Sequence, residues 1–541
     1  MGLRDTLSVV VQLPGLLALK KKLEPRPLEE RDCFARQVER NADKFGSRPA
    51  ILFEGRTVTW AEFNALANRY AHCLKARGIG RGDVVSLLME NRTEFLAAMT
   101  GLNKLGAIAG LINTNLRERP LAHCVNTTGS KACIFGEELT EALGGVKAEL
   151  PLDEGSGYIY VPDAGNPAPN WAVDLAAESE AASAENPPDS RETKLGDTVA
   201  YLFTSGTTGL PKASIWSNRR FLASAGMSHL AGLKCTEKDR LYLCLPLYHG
   251  TGLIIGAGAC IASGASMFLR RRFSASNFLS EVREHRTNCL VYVGELCRYL
   301  ANTPARPDDH DTPLKTIIGN GLRPDVWMDF KQRFGIRRIS EFYGASEGNV
   351  AFANLLNRDR TVGMTTAEIA LVKYDTDADE IVRDDQGRCI PVEAGKPGLL
   401  LGRITEEAVF EGYTSAEATE QKILRNALAD GDAWFNTGDL MCEVDVGYTA
   451  GFPHYQFVDR VGDTFRWKSE NVSTTEVGEI VNGHPQVQIC NVYGVEVPNT
   501  DGRAGMAALV LEPGVESLDL EDFSAFVNRE LPAYARPVFL R

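Results

Sequence analysis

The chain's 12 cysteines include no Cys-x-x-Cys pair, and no apolar run is long enough to cross a bilayer's ~30 Å hydrocarbon core. Each lack excludes something. Cysteines scattered from Cys33 to Cys490 do not have zinc-ligand spacing, and they fit free thiols in a reducing compartment better than a disulfide framework. Most read as small buried hydrophobes, and none is given a catalytic role. Positive charge is also short: the net charge is −13, which argues against nucleic acid as the main partner. An acidic protein can still carry a local positive pocket for a small anion. Internal repeats and long blocks of like charge are missing as well.

The N-terminus is the one place where a membrane enters the reading. Residues 7–19 are mostly apolar and are followed by Lys20, Lys21 and Lys22. As a helix they would span roughly 20 Å, and Gln12, Pro14 and Gly15 weaken even that. The lysines follow the apolar run, the wrong order for a signal peptide. A terminal arm packed on the protein and an interfacial anchor both remain open. Met1-Gly2 with Thr6 fits a myristoylation pattern formally. The expected location is cytoplasmic, with a peripheral position on the cytoplasmic face of a membrane left open.

What is present is ordinary for a globular protein: 44% hydrophobic and 24% charged residues, in 541 residues that suggest at least two domains. Residues 57–77 begin with a short β-type run and continue with Phe63, Leu66, Ala67 and Tyr70 at helical spacing. Glycines 78, 80 and 82 break that helix, and 84–88 reads as a buried strand. A helix over 95–105, a strand over 107–112 and a helix around Leu121 continue the alternation. This predicts an α/β domain with a largely parallel sheet. Residues 163–197, rich in Ala, Glu, Pro, Asp and Ser, read as a surface excursion without regular elements. A boundary is expected near Asp459. Beyond it, strands over 464–468, 489–495 and 506–511 and a helix with capping-box spacing at Ser473-Thr474-Thr475-Glu476 describe a small α+β unit.

The strongest local signal is Thr204-Ser205-Gly206-Thr207-Thr208-Gly209-Leu210-Pro211-Lys212, fed by an apolar strand over 199–203. Four hydroxyl side chains interleaved with two glycines can turn backbone N–H groups and hydroxyls toward phosphate oxygens, and Lys212 adds charge at the rim. A polar turn would explain a lone G-T-T-G, but not the strand, hydroxyls, glycines and lysine together. A nucleoside-triphosphatase P-loop wants G-x-x-x-x-G-K-[ST]; here Leu210-Pro211 intervenes and Ala213 follows the lysine, so that motif fails.

The same segment closely resembles the signature of the adenylate-forming superfamily of acyl-CoA synthetases, luciferases and adenylation domains. Tyr343-Gly344-Ala345-Ser346-Glu347, Thr437-Gly438-Asp439 and Asp459-Arg460 with Gly462-Asp463 resemble further motifs of that family, in the expected order. Gly319-Asn320-Gly321-Leu322-Arg323-Pro324, Glu341-Phe342-Tyr343-Gly344, Gly294-Glu295-Leu296, Ile112-Asn113-Thr114-Asn115-Leu116-Arg117 and Leu531-Pro532-Ala533-Tyr534 look like the fatty-acid-transport and very-long-chain acyl-CoA synthetase branch. The resemblance runs from about residue 57 to Arg541.

It implies a large N-terminal adenylation domain of parallel and mixed sheets with helices, over residues 30–459 after an N-terminal arm of 1–29. A small mobile α+β C-terminal domain would occupy 460–541. It implies a fatty acyl-CoA synthetase that takes ATP, Mg²⁺ and CoA together with a long- or very-long-chain fatty acid, coupled or not to uptake of that acid. An acyl-AMP ligase loading a carrier protein and a non-catalytic fatty-acid-binding protein remain alternatives, and self-association as a homodimer is left open. By resemblance, Thr204, Ser205, Gly206, Thr207, Thr208, Gly209 and Lys212 would hold the β- and γ-phosphates. Glu347, with Thr204, would hold Mg²⁺, a hard cation suited to one or two carboxylates. Asp439, acceptor-only when ionised, would take the ribose hydroxyls with Arg460. Gly319, Asn320, Gly321, Glu341, Phe342, Tyr343, Gly344 and Ser346 would line the nucleotide. His249 would sit near the reacting carboxylate in a positional role, a structural histidine being the alternative. Gly462 would be the hinge, after which Arg466, Trp467 and Lys468 would face the site for thiol attack.

Two departures carry expectations of their own. Ser469 stands where the family usually has glycine, at the pantetheine passage. The family's C-terminal lysine lies downstream of Arg541, so the chain is expected to be truncated and slow in adenylation.

Overall fold

In the computed structural model the described residues are 24–541 apart from 205–210, 325, 345–347, 376–377, 379, 407, 462–463, 468–469, 498–502 and 532, together with Val9, Gln12 and Leu19. For Thr204, Thr464, Arg466, Glu470, Asn471, Ser473, Thr475 and Glu476 only the backbone is described. The chain divides into two units. One comprises Met1–Met364, Phe410–Gln421 and Val446–Phe452; the other comprises Thr365–Val409, Lys422–Asp445 and Pro453–Arg541.

The first unit begins from helices whose starts and buried faces are legible in the residues. Helix Trp60–Ala76 starts at Thr59, whose hydroxyl accepts from the Glu62 N–H while the Glu62 carboxylate accepts from the Thr59 N–H. This reciprocal cap satisfies two otherwise orphaned donors and contributes about 1 kcal/mol. Phe63, Ala67, Tyr70 and Leu74 then recur on one face and are buried. Helix Thr93–Lys104 packs beside it, buried on all sides, with Lys104 fully enclosed and paired to Glu39 at 2.6 Å.

Two sheets organise this unit. The seven-stranded sheet runs Val173–Asp174, Tyr158–Val161, Ala132–Gly136, Val84–Leu88, Ile108–Leu111, Thr198–Thr204 and Lys212–Ser217; every neighbouring pair is parallel except the last. Its central strands read as continuous apolar runs because helices cover both faces. The eight-stranded sheet has a parallel core ordered Pro49–Phe53, Ser266–Leu269, Arg240–Leu243, Cys289–Val293, Thr316–Asn320 and Arg338–Gly344. An antiparallel strand closes each end, Arg56–Thr59 and Ala351–Ala353.

One expectation is corrected here. Residues 163–197 do hold regular structure: Val173–Asp174 forms the edge strand of the seven-stranded sheet, and helix Leu175–Ser179 follows, capped by the Asp174 carboxylate on the Ala177 N–H. The prolines flank this strand rather than interrupt it, as an edge strand allows.

In the second unit, strand Ala433–Val444 is the centre of an antiparallel sheet with Gly398–Arg403, Ile423–Arg425 and His454–Arg460, and Ile369–Val372 lies outside Gly398–Arg403. The C-terminal residues build around their own apolar cluster, which includes Phe465, Trp467, Val477, Val481, Val492 and Phe523. Hairpin Thr464–Trp467 with Glu470–Ser473, helices Thr474–Val481 and Leu520–Glu530, and the Val487–Glu496, Arg503–Leu511 and Phe539–Leu540 sheet surround it. Trp467 is buried in this cluster, so it does not turn outward as expected; a large indole one strand repeat from Phe465 shares that strand's buried face.

Every cysteine is unpaired, and all but Cys442 are buried. Burial pushes the Cys133 and Cys244 thiols up to about 12, so they are inert as nucleophiles at neutral pH. Among the described residues no helix is long and apolar enough to cross a membrane.

Candidate active site

Parallel strands deliver their carboxyl ends to one edge of a sheet, the place where open α/β sheets take ligands. In the eight-stranded sheet, Tyr292 pairs with Gly319, Val293 with Asn320, and Gly319 with Glu341. Three chain segments of the expected nucleotide rim, Gly294, Gly319-Asn320-Gly321 and Glu341-Phe342-Tyr343-Gly344, therefore end side by side. They approach too closely for side chains. A Cβ on Gly294 would lie 1.9 Å from the Gly321 carbonyl oxygen, and one on Gly319 would lie 2.2 Å from that of Tyr292. Gly321 also has φ +84°, a conformation that L side chains resist.

Beneath this edge sits Glu341, 3% exposed. Its carboxyl accepts from the Leu322 N–H at 3.0 Å and from the Tyr292 hydroxyl. Burial, opposed by these hydrogen bonds, pushes its pKa up to about 8. The side chain thus holds the turn from within. Tyr343 is half-buried, and its ring meets Phe352 edge-on across the antiparallel pair at 5.7 Å.

His249 follows strand Arg240–Leu243 at the same end of the sheet. Asn91 fixes its loop: the Asn91 amide donates to the Leu245 carbonyl and accepts from the Leu247 N–H, both at 2.8 Å. The Tyr248 ring lies 4.6 Å from the His249 ring, and Asn115 donates to the Tyr248 hydroxyl at 3.2 Å. Although His249 keeps accessible surface, surrounding atoms desolvate its ring and lower its pKa. A mainly neutral imidazole follows at pH 7. A Cβ on Gly250 would touch Leu202 at 3.4 Å, which places the His249 loop against the strand that enters the phosphate segment.

That strand, Thr198–Thr204, pairs with Lys212–Ser217 so that Thr204 faces Lys212. Ser205, Gly206, Thr207, Thr208 and Gly209 lie outside the described residues, as do Ser346 and Glu347. Around the phosphate segment the structure adds partners that no motif named. His123 donates to the Pro211 carbonyl at 3.0 Å. The Lys212 ammonium stands 5.7 Å from the Tyr413 ring centroid, and Tyr413 bridges to Ser214. Tyr413 carries no local sequence signal for this role, because its partner lies two hundred residues earlier in the chain.

In the second unit, Asp439 and Arg460 face one another across paired strands. The Arg460 Nε donates to the Asp439 carboxylate at 3.1 Å, and Asp439 is buried while Arg460 is largely exposed. Thr437 accepts from the Asp439 N–H and donates to the Leu400 carbonyl, which fixes the turn at Gly438. The side chain of Arg466, the expected hinge Gly462, Lys468, Ser469 and the capping box at Ser473 lie outside what is described. Among the described residues no cluster of three or more His, Cys, Asp or Glu side chains stands ready for a metal.

Residues 38–414 match the AMP-binding enzyme family and residues 476–541 its C-terminal domain. The medium/long-chain-fatty-acid–CoA ligase FadD6 of Mycobacterium tuberculosis is 42% identical over 502 residues, covering 92% of this chain and 81% of that protein. Human long-chain fatty acid transport protein 6 is 38% identical over 550 residues, covering 99% and 86%. Among solved structures, the anthranilate CoA ligase AuaEII in complex with anthranoyl-AMP superposes with a TM-score of 0.75 at 23% identity, over 95% of this chain and 94% of that one. At that identity the likeness concerns the fold.

Proposed function

The chain belongs to the AMP-binding enzyme family, and on that premise we propose that it is a fatty acid–CoA ligase that works through an acyl-adenylate. The observation that carries this reading is the 42% identity to a medium/long-chain-fatty-acid–CoA ligase over nearly the whole chain. The glycine-bearing sheet edge and the hydrogen-bonded His249 loop support it, since they offer flat contact for a base beside a polar position for an acid.

In the first half-reaction a carboxylate oxygen of the acid bonds to the α-phosphorus of ATP, and diphosphate leaves. Both reactants are anionic, so the protein's contribution is positioning and charge neutralisation. Residues 204–212 hold the terminal phosphates, with Lys212 at the rim. Glu347 and Thr204 would hold the Mg²⁺ that accompanies ATP, an ion whose charge would offset that of the phosphates. Gly319 to Gly321 and Tyr343 flank the adenine, and Asp439 with Arg460 takes the ribose hydroxyls. A neutral His249 orients the carboxylate without competing for a proton. In the second half-reaction the CoA thiol sulfur bonds to the acyl carbon and AMP leaves, a step in which the family resemblance gives Arg466 a part. Esterification also traps an entering acid, which accounts for the resemblance to proteins named for fatty acid transport.

The test is ATP–diphosphate exchange that depends on a long-chain fatty acid, followed by CoA-dependent release of AMP. Exchange without AMP release on adding CoA would favour loading of a carrier protein. Glu347→Ala should abolish exchange, and normal exchange in that variant refutes the metal assignment.

A further inference from the structure

The phosphate segment and the Tyr343-to-Glu347 motif are far apart in sequence, yet one arginine spans their flanks. Arg220 lies in the first turn of helix Asn218–Met227, capped by Ser217, whose hydroxyl accepts from the Arg220 N–H at 3.3 Å. Ser217 is itself fixed by Glu411: its hydroxyl and its N–H donate to the two carboxylate oxygens at 2.8 and 3.2 Å. The helix start is therefore anchored on two sides. From it the Arg220 guanidinium reaches back over the Trp216 ring, 4.0 Å from the centroid. Nη1 donates to the Ile215 carbonyl at 3.4 Å, and Nη2 donates to the Gly348 carbonyl at 2.7 Å.

Ile215 and Trp216 belong to the strand that leaves the phosphate segment at Lys212, and Gly348 is the residue after Glu347. A planar guanidinium stacked on an indole has little freedom, and a charge-assisted bond of 2.7 Å fixes the carbonyl it meets. We infer that Arg220 is a positioning residue for adenylation, setting Gly348, which follows Glu347 in the chain, in register with the strand that leaves the phosphate segment. The inference rests on the proposed function. It assigns Arg220 a role through the Gly348 and Ile215 carbonyls that it holds, so its effect should appear on the nucleotide and its cation and not on the acid.

The protein tests this in three forms: wild type, Arg220→Gln and Arg220→Lys. Each is assayed by acid-dependent ATP–diphosphate exchange against Mg²⁺, ATP and fatty acid, with a melting curve. Arg220→Gln should raise the half-saturating Mg²⁺ and the KM for ATP about tenfold, as loss of a charged hydrogen bond predicts, with the KM for the acid within about twofold. Arg220→Lys keeps the charge without the stacked plane and should recover part of the shift. A lower melting temperature with unshifted Mg²⁺ and ATP constants would make Arg220 a purely structural staple and overturn the inference. Should Arg220→Gln not fold, Arg220→Lys decides: a shift of about threefold or more supports the inference, and constants equal to wild type overturn it. Failure of the wild type to exchange sinks the adenylation reading and this inference with it, whereas normal exchange with unshifted constants sinks the inference alone.

Discussion

Replacing Glu341 by glutamine isolates a single buried titration. The carboxyl is raised from its ordinary 4.5 to about 8, chiefly by burial. Between those values the folded chain keeps a proton that the unfolded chain has released, so stability falls as pH rises. Each pH unit in that window removes about 1.36 kcal/mol, which is about 2.7 kcal/mol between pH 5.5 and 7.5. The first unit has roughly 380 residues, and about 2.1 cal/mol/K of unfolding entropy per residue gives roughly 0.8 kcal/mol/K. The shift in melting temperature is then roughly 3 °C. Glutamine has no such titration, yet its carbonyl accepts from the Leu322 N–H and its amide donates to the Tyr292 oxygen. Scanning fluorimetry of both proteins across pH 5.5–7.5 should show the variant gaining roughly 3 °C on wild type as pH rises. A difference that stays constant within about 1 °C refutes the assignment of a protonated Glu341 beneath the turn.

Two further perturbations probe the frame around the site. Gly294→Ala puts a Cβ 1.9 Å from the Gly321 carbonyl oxygen, so the Gly319–Gly321 turn must move. A displacement of about 1 Å should cost on the order of 100-fold in acid-dependent exchange, and activity within about twofold of wild type contradicts the geometry. Lys104→Met leaves the Glu39 carboxylate without its buried partner and should destabilise by about 3–5 kcal/mol in urea titration. Adding Glu39→Leu should restore most of that loss; no recovery would mean that packing, and not the charge, sets the cost.

Much of the frame is legible in the residues. Strand Val84–Leu88 and helix Trp60–Ala76 follow from an apolar run and from 3.6-residue spacing, because a local pattern decides which face is buried. The edge strand Val173–Asp174 escapes such reading: two residues carry no periodicity, and only their neighbours in Tyr158–Val161 make them a strand. Motif residues such as Asp439 and Arg460 announce themselves, and the structure pairs them. Their supports do not. Tyr292 holds Glu341 from 49 positions away, and Arg220 reaches Gly348 across 128. Such contacts depend on strand order, which no local window contains. Trp467 shows the opposite failure, since a position read as facing the site is taken by the C-terminal apolar cluster.

The central claim, activation of the acid through its adenylate, is tested most directly by following the acid's oxygen. A long-chain fatty acid labelled with oxygen-18 in its carboxylate is incubated with the protein, ATP, Mg²⁺ and CoA, and the nucleotide product is weighed by mass spectrometry. Attack of the carboxylate on the α-phosphorus, followed by thiol attack on the acyl carbon, leaves one acid oxygen in the phosphate of AMP. The account predicts AMP carrying one oxygen-18, formed in equal amount with acyl-CoA; unlabelled AMP, or ADP and phosphate in its place, would contradict it.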